Sequence, residues 1–194
     1  MATKAKKITI DIIIAKYMDY VLEHEMVPKS IYKFCKVSEI KEEDFYLFYG
    51  SLASLQKGIW EQFFLNTIQV MEKNKEYDGF SNKDKMLTFF FTLFEILTLN
   101  RSYVLFVLEQ ENNPMKNLEQ LKGFRKHVRS FAKGLIADGN AEKNLKITKH
   151  NPQLFSEGAW LQFMFILRFW MKDDSARFEK TDMAIEKSVN TIFD

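Results

Sequence analysis

Residues 30–51 read SIYKFCKVSEIKEEDFYLFYGS. Pro28 breaks the chain just before this stretch, and Ser30 is placed to cap a short helix carrying Ile31 and Phe34. A turn near Ser38–Lys41 leads to a second short helix through Phe45, Phe48 and Tyr49. Gly50 and Ser51 interrupt it, and Ser51 can cap a long helix from Leu52 to about Lys75. Two short helices around a tight corner, followed by a long one, set the reading of everything else.

On the N-terminal side, residues 8–24 place Ile10, Ile13, Ile14, Tyr17, Met18 and Val21 at three- and four-residue spacing, an amphipathic helix. The basic start MATKAKKITIDIII is interrupted by Asp11 and lacks a small-residue cleavage site, so it reads as a helix entry and not a signal peptide. On the other side, YDGFSNKD is a loop with Ser81 as the next cap, before a helix carrying Phe89, Phe90, Phe91, Phe94 and Leu97. LNRS separates it from a helix through Tyr103, Phe106 and Val107. NNP at 112–114 is a start signal for a helix that runs to about Asp138, with Gly139 placed to end it. HNP at 150–152 repeats the signal before the apolar helix 153–172, and DDS at 173–175 opens a last helix with Phe178, Ile185, Val189 and Ile192 on one face. About nine helices and no strand make the chain all-α.

Composition agrees. Of 194 residues, 46% are hydrophobic and 28% charged, a globular balance, and 19 Phe against 3 Pro and 7 Gly favours long helices around aromatic cores. The net charge of +2 is too small for a bulk polyanion binder. A lone cysteine, Cys35, excludes an intrachain disulfide and suits a reducing cytoplasm. The apolar runs 86–99 and 159–171 contain Glu95 and Arg168 and fall short of the roughly 20 residues of a membrane span. His24, His127 and His150 lack metal-ligand spacing, and no glycine-rich phosphate loop or nucleophile elbow occurs. The residues point to neither catalytic, metal nor cofactor chemistry.

Residues 30–51 resemble the N-terminal signature of tetracycline-repressor-type (TetR) regulators. Ser30 matches the capping residue of the second helix, Phe34 and Cys35 an apolar–small pair, Phe45 and Tyr46 the aromatic–Tyr pair of the third helix, and Gly50 and Ser51 the small residue and cap opening the fourth. FILRFWMKDDSARFEKTDMAIEKSV, 165–189, resembles the family's last two helices, which pair two subunits in a four-helix bundle. The chain departs from the pattern at Glu39, where the family usually has Gly, at Lys41-Glu42-Glu43-Asp44, where the third helix usually opens with Ser or Thr, and at Leu52, often a Lys. Residues 39–46 hold one Lys against four carboxylates, a net −3.

The resemblance implies a helix-turn-helix domain at 1–52 and a ligand and dimerisation domain at 53–194. Double-stranded DNA would meet Ser30, Lys33, Lys41, Glu42, Asp44 and Tyr46. A hydrophobic small molecule would be lined by Phe90, Phe94, Tyr103, Phe106 and Phe124, with His127, Trp160, Phe163 and Met164. A homodimer would form through Leu167, Trp170, Phe178, Ile185, Val189 and Ile192. The rival expectation, favoured by the acidic third helix, is a lipid or small-molecule binder on the same fold that does not read DNA. Carboxylates at a groove face oppose the cation–phosphate term that dominates affinity. At the start of a helix they also stabilise its dipole.

Overall fold

The computed structural model describes residues 7–110, 117–141 and 151–193, with side chains to residue 137 in the middle stretch. These form nine α-helices: α1 (Ile10–His24), α2 (Ile31–Val37), α3 (Glu42–Tyr46), α4 (Leu52–Glu72), α5 (Asn82–Leu99), α6 (Arg101–Glu109), α7 (Lys122–Ala141), α8 (Pro152–Lys172) and α9 (Glu179–Phe193). No strand occurs among the described residues. The all-α reading holds.

Most helix starts lie where local chemistry puts them. Ser30 Oγ accepts from Lys33 N at 3.1 Å. Ser51 and Ser54 cap each other, each backbone N–H donating to the other's hydroxyl at 3.0 Å. Ser81 Oγ accepts from Asp84 N at 3.1 Å and donates to Asp84 Oδ2 at 2.6 Å. Asn151 Oδ1 accepts from Gln153 N and Leu154 N, with Pro152 in the first helical turn. Each satisfies N–H groups that a helix start leaves bare.

Two boundaries differ from the sequence reading, and a third lies outside the described residues. Phe48 and Tyr49 lie in the turn after α3, which is only five residues long. The NNP start at 112–114 lies outside the described residues; α7 begins at Lys122, after a single 3₁₀ turn at Leu118–Leu121. Gly139 does not stop α7, which runs on to Ala141, because a glycine can stay helical at about 1 kcal/mol relative to Ala.

By backbone proximity the chain divides into two units, Met1–Trp60 with Asn100–Leu121, and Glu61–Leu99 with Lys122–Asp194. In the first unit α1 packs on α6 and α2 on α3. Tyr17 and Phe34 are buried at 0% exposure and meet edge to face at 5.6 Å, and Phe34 meets Phe45 in the same way at 6.1 Å. Tyr20 stacks on His24 at 4.1 Å and is buried, while Ile10, expected on the same stripe, is 37% exposed. Gln120 accepts from Trp60 Nε1 at 2.9 Å and donates to the Val107 and Asn117 carbonyls, tying the end of the unit to its early part.

In the second unit α7 packs along α8, and α5 on α7 and α9. Its interior is a run of rings, with Phe89 against Phe131 at 4.7 Å, Phe124 against Phe163 at 4.9 Å and Phe94 against Trp170 at 6.0 Å. Between α8 and α9, Asp173 acts as a remote cap. Its Oδ1 accepts from Ser175 N and Oγ, and its Oδ2 from Thr181 N and Oγ1, at 2.6–2.9 Å. That bracket holds a 3₁₀ turn, Ala176–Phe178, in which Arg177 and Phe178 have φ of 56° and 60°.

Candidate functional site

The corner of the two short helices is built by one backbone bond and one side chain. Ile40 N donates to Cys35 O at 2.9 Å, and Lys16 Nζ reaches the Ser38 carbonyl from α1. Ile40 and Phe45 are buried beneath the corner. Glu39 sits at φ 55°, in the left-handed region that favours glycine. The chain thus keeps the glycine-type corner with a residue that is strained in it. Glu39→Gly is expected to raise the unfolding free energy by up to about 1 kcal/mol, the relief of a left-handed residue set against glycine's greater unfolded-state entropy. Urea titration of the two proteins side by side checks the sign.

Lys41 stands at the N-cap of α3 and makes no capping bond; its ammonium pairs with Glu43 at 3.2 Å, both groups about three-quarters exposed. An ion pair that exposed contributes roughly 0–1 kcal/mol. Glu42, Glu43 and Asp44 occupy the first turn, the favourable end of the helix for negative charge. Of the residues expected at DNA, Ser30, Lys33, Lys41 and Tyr46 are exposed, and Glu42 and Asp44 are partly exposed. Ser30 and Lys33 share the first turn of α2, while the other four lie in or beside α3. Tyr32, Val37 and Leu47 add exposed apolar surface that the sequence reading did not single out, and Lys36 Nζ lies 5.9 Å over the Tyr32 ring. Cys35 is buried, and burial, then Glu42, push its thiol up, away from thiolate chemistry.

The nine residues expected to line a ligand divide between the units. Tyr103 and Phe106 belong to the first and the other seven to the second. Tyr103 is fully buried, and its hydroxyl has no hydrogen-bond partner among the described residues; burial, then Tyr17, push its pKa well up. Phe90, Phe94, Phe124 and Phe163 are buried rings, and Trp160 tilts against Phe163 at 5.2 Å. His127 stacks on Phe64 at 5.1 Å, a partner the sequence reading left out, and Met164 is partly exposed.

The residues expected to pair two subunits differ in exposure. Leu167, Trp170, Ile185 and Val189 are buried inside their own unit, Phe178 is half-buried and only Ile192, at 39%, is exposed. The outward apolar stripe is Leu161, Phe165 and Phe169 on α8 with Met183 on α9. Phe165, Phe169, Met183 and Ala184 border an open hollow of about 440 Å³. α8 is apolar nearly all round, so its sequence permits either stripe to face inward. Among the described residues no three His, Cys, Asp or Glu side chains gather to hold a metal ion, and no single helix is long and apolar enough to cross a membrane.

Residues 85–194 match the family model described as tetracyclin repressor-like, C-terminal domain. Among solved structures, a protein of Syntrophomonas wolfei strain Goettingen, provisionally named a TetR-family transcriptional regulator, superposes with a TM-score of 0.70 at 16% identity, over 94% of this chain and 93% of that one. At that identity the likeness is one of fold. No curated protein matches the chain.

Proposed function

The chain belongs to the tetracyclin-repressor-like (TetR) family, and from that premise we propose that it is a cytoplasmic, homodimeric one-component transcriptional regulator. The two-helix corner carries this reading: a Ser30-capped α2, a left-handed residue at Glu39 and a Phe34–Phe45 contact fixing α3 against α2. Such a corner suits presentation of α3 to a major groove, with exposed Lys33 and Lys36 as phosphate contacts. The stripe Leu161, Phe165, Phe169 and Met183 supplies apolar surface for an isologous pairing, which would place two heads on two half-sites. A small hydrophobic effector in the second unit would act by favouring one spacing of the heads.

One observation favours a second reading, a small-molecule binder that has left DNA. Glu42, Glu43 and Asp44 form the first turn of α3 with a single lysine beside them. An acidic side chain can read a cytosine amino group, but three in succession oppose the counterion-release term.

Binding of the purified protein to its own upstream DNA and to a random duplex, titrated from about 20 to 200 mM salt, separates the two. The regulator reading expects saturable binding to the upstream DNA, tighter than to random duplex, with a log–log slope of several ions. Absence of binding to either duplex at the lowest salt sinks it for the ligand-free protein.

A further inference from the structure

Away from the head and the outward stripe, the second unit holds another hollow, of about 280 Å³, walled by the rings of Phe91, Phe94, Trp170 and Phe178. Its charged groups are Glu95 from α5, Asp182 from α9 and Arg177 from the turn between α8 and α9. We propose that this hollow binds a small organic cation, an aryl or branched-alkyl ammonium, with its apolar part on the rings and its charge held by Glu95 and Asp182.

Three observations carry the assignment. Phe91 and Phe178, both partly exposed, offer aromatic surface to the body of a ligand and to a cation, with the buried Phe94 and Trp170 rings behind them. The volume, about 280 Å³, lies just under the range of drug-sized sites, which begins at about 300 Å³, so it suits a single substituted ring and not a long lipid.

The charge at the hollow is uncompensated. In this unit Arg125 and Arg129 pair with Glu157, and Lys180 pairs with Asp174. None of these pairs involves Glu95 or Asp182, and the lining of the hollow carries two carboxylates against one guanidinium, Arg177. Asp182 also lies among like charges: burial, then Glu186, Asp173 and Glu179, push its carboxyl up. A cation entering here relieves that repulsion, and an anion adds to it.

The walls are also held in place. Trp170 Nε1 donates to Thr98 Oγ1 at 2.9 Å, fixing the indole plane, and the left-handed Arg177–Phe178 turn sets the Phe178 ring 6.4 Å from it.

The inference concerns the second unit alone and does not depend on whether the head reads DNA. It is tested by isothermal titration of the full chain with benzyltrimethylammonium, benzyl alcohol and phenylacetate at constant ionic strength. The expected result is saturable binding of the ammonium at one site per chain. Benzyl alcohol should bind at least tenfold more weakly, and phenylacetate should not bind. Glu95→Gln and Asp182→Asn, near-isosteric changes at exposed groups, should each weaken the ammonium several-fold, and Arg177→Gln should tighten it, with thermal melts showing each variant folded. Absence of saturable ammonium binding, an equal affinity for benzyl alcohol, or a Glu95→Gln/Asp182→Asn double variant that binds as the parent does would each overturn the assignment.

Discussion

Trp170→Ala should lower the unfolding free energy by about 3–5 kcal/mol, the range for deleting a buried Trp or Phe side chain. Trp170 has 0% exposure, packs edge to face on Phe94 at 6.0 Å and donates its indole N–H to Thr98. Its removal opens a void beside the α8–α9 turn and strips Phe178 of its neighbouring ring. In a chain of this length each kcal/mol moves the melting point by roughly 2–4 °C, so a fall of about 10 °C is expected. Trp170→Phe should recover most of the packing and leave a deficit of about 1 kcal/mol for the lost hydrogen bond. Melting curves of the three proteins, followed by circular dichroism, give the comparison. A Trp170→Ala melt within 2 °C of the parent would show that the ring is not held as described.

The second large effect is pH-dependent and belongs to Asp173. Burial pushes its carboxyl up, but the hydroxyls and N–H groups of Ser175 and Thr181 outweigh burial and hold it at about 2, against an ordinary 3.8. Because the folded value is the lower one, the contribution is fully present above the unfolded value, near 4, and is lost as the pH falls through about 2. Its size is roughly 2–3 kcal/mol, from about 1.4 kcal/mol for each pH unit of the difference. Asp173→Asn keeps the shape but offers an NH₂ where Thr181 or Ser175 needs an acceptor. The variant should therefore be less stable than the parent by roughly that amount at neutral pH. Urea titrations between pH 5 and pH 2 should show the gap closing from the acid side. A gap constant across that window would mean that the carboxylate charge contributes nothing.

The features readable from sequence were those fixed within a turn of chain. Ser30, Ser51, Ser81 and Asn151–Pro152 cap helices because a short polar side chain meets N–H groups two or three residues on. The all-α class followed from spacing repeated over whole helices. Longer-range arrangements were out of reach. Asp173 caps a helix start eight residues away, across two left-handed residues that no Gly or Asn announces. On α8, Leu167 and Trp170 face in while Leu161 and Phe165 face out, although all four are large and apolar, so hydropathy could not orient the helix. The aromatic set expected around a ligand was readable as apolar but not as one site. Its members divide between the two units, and spacing within a helix says nothing of what packs on the other side of a ring.

The split of the first unit bears on how the chain is made. Trp60 must wait for Gln120, and Tyr17 for Tyr103, whose ring lies 6.4 Å away. During synthesis at about 5–20 residues per second, the intervening stretch Glu61–Leu99 alone takes roughly 2–8 s to emerge. For those seconds the α1 face that meets α6 has no partner, and the first unit is completed only after about a third of the second, 39 of its 112 residues, has been translated. The unit that comes first in the sequence is completed late.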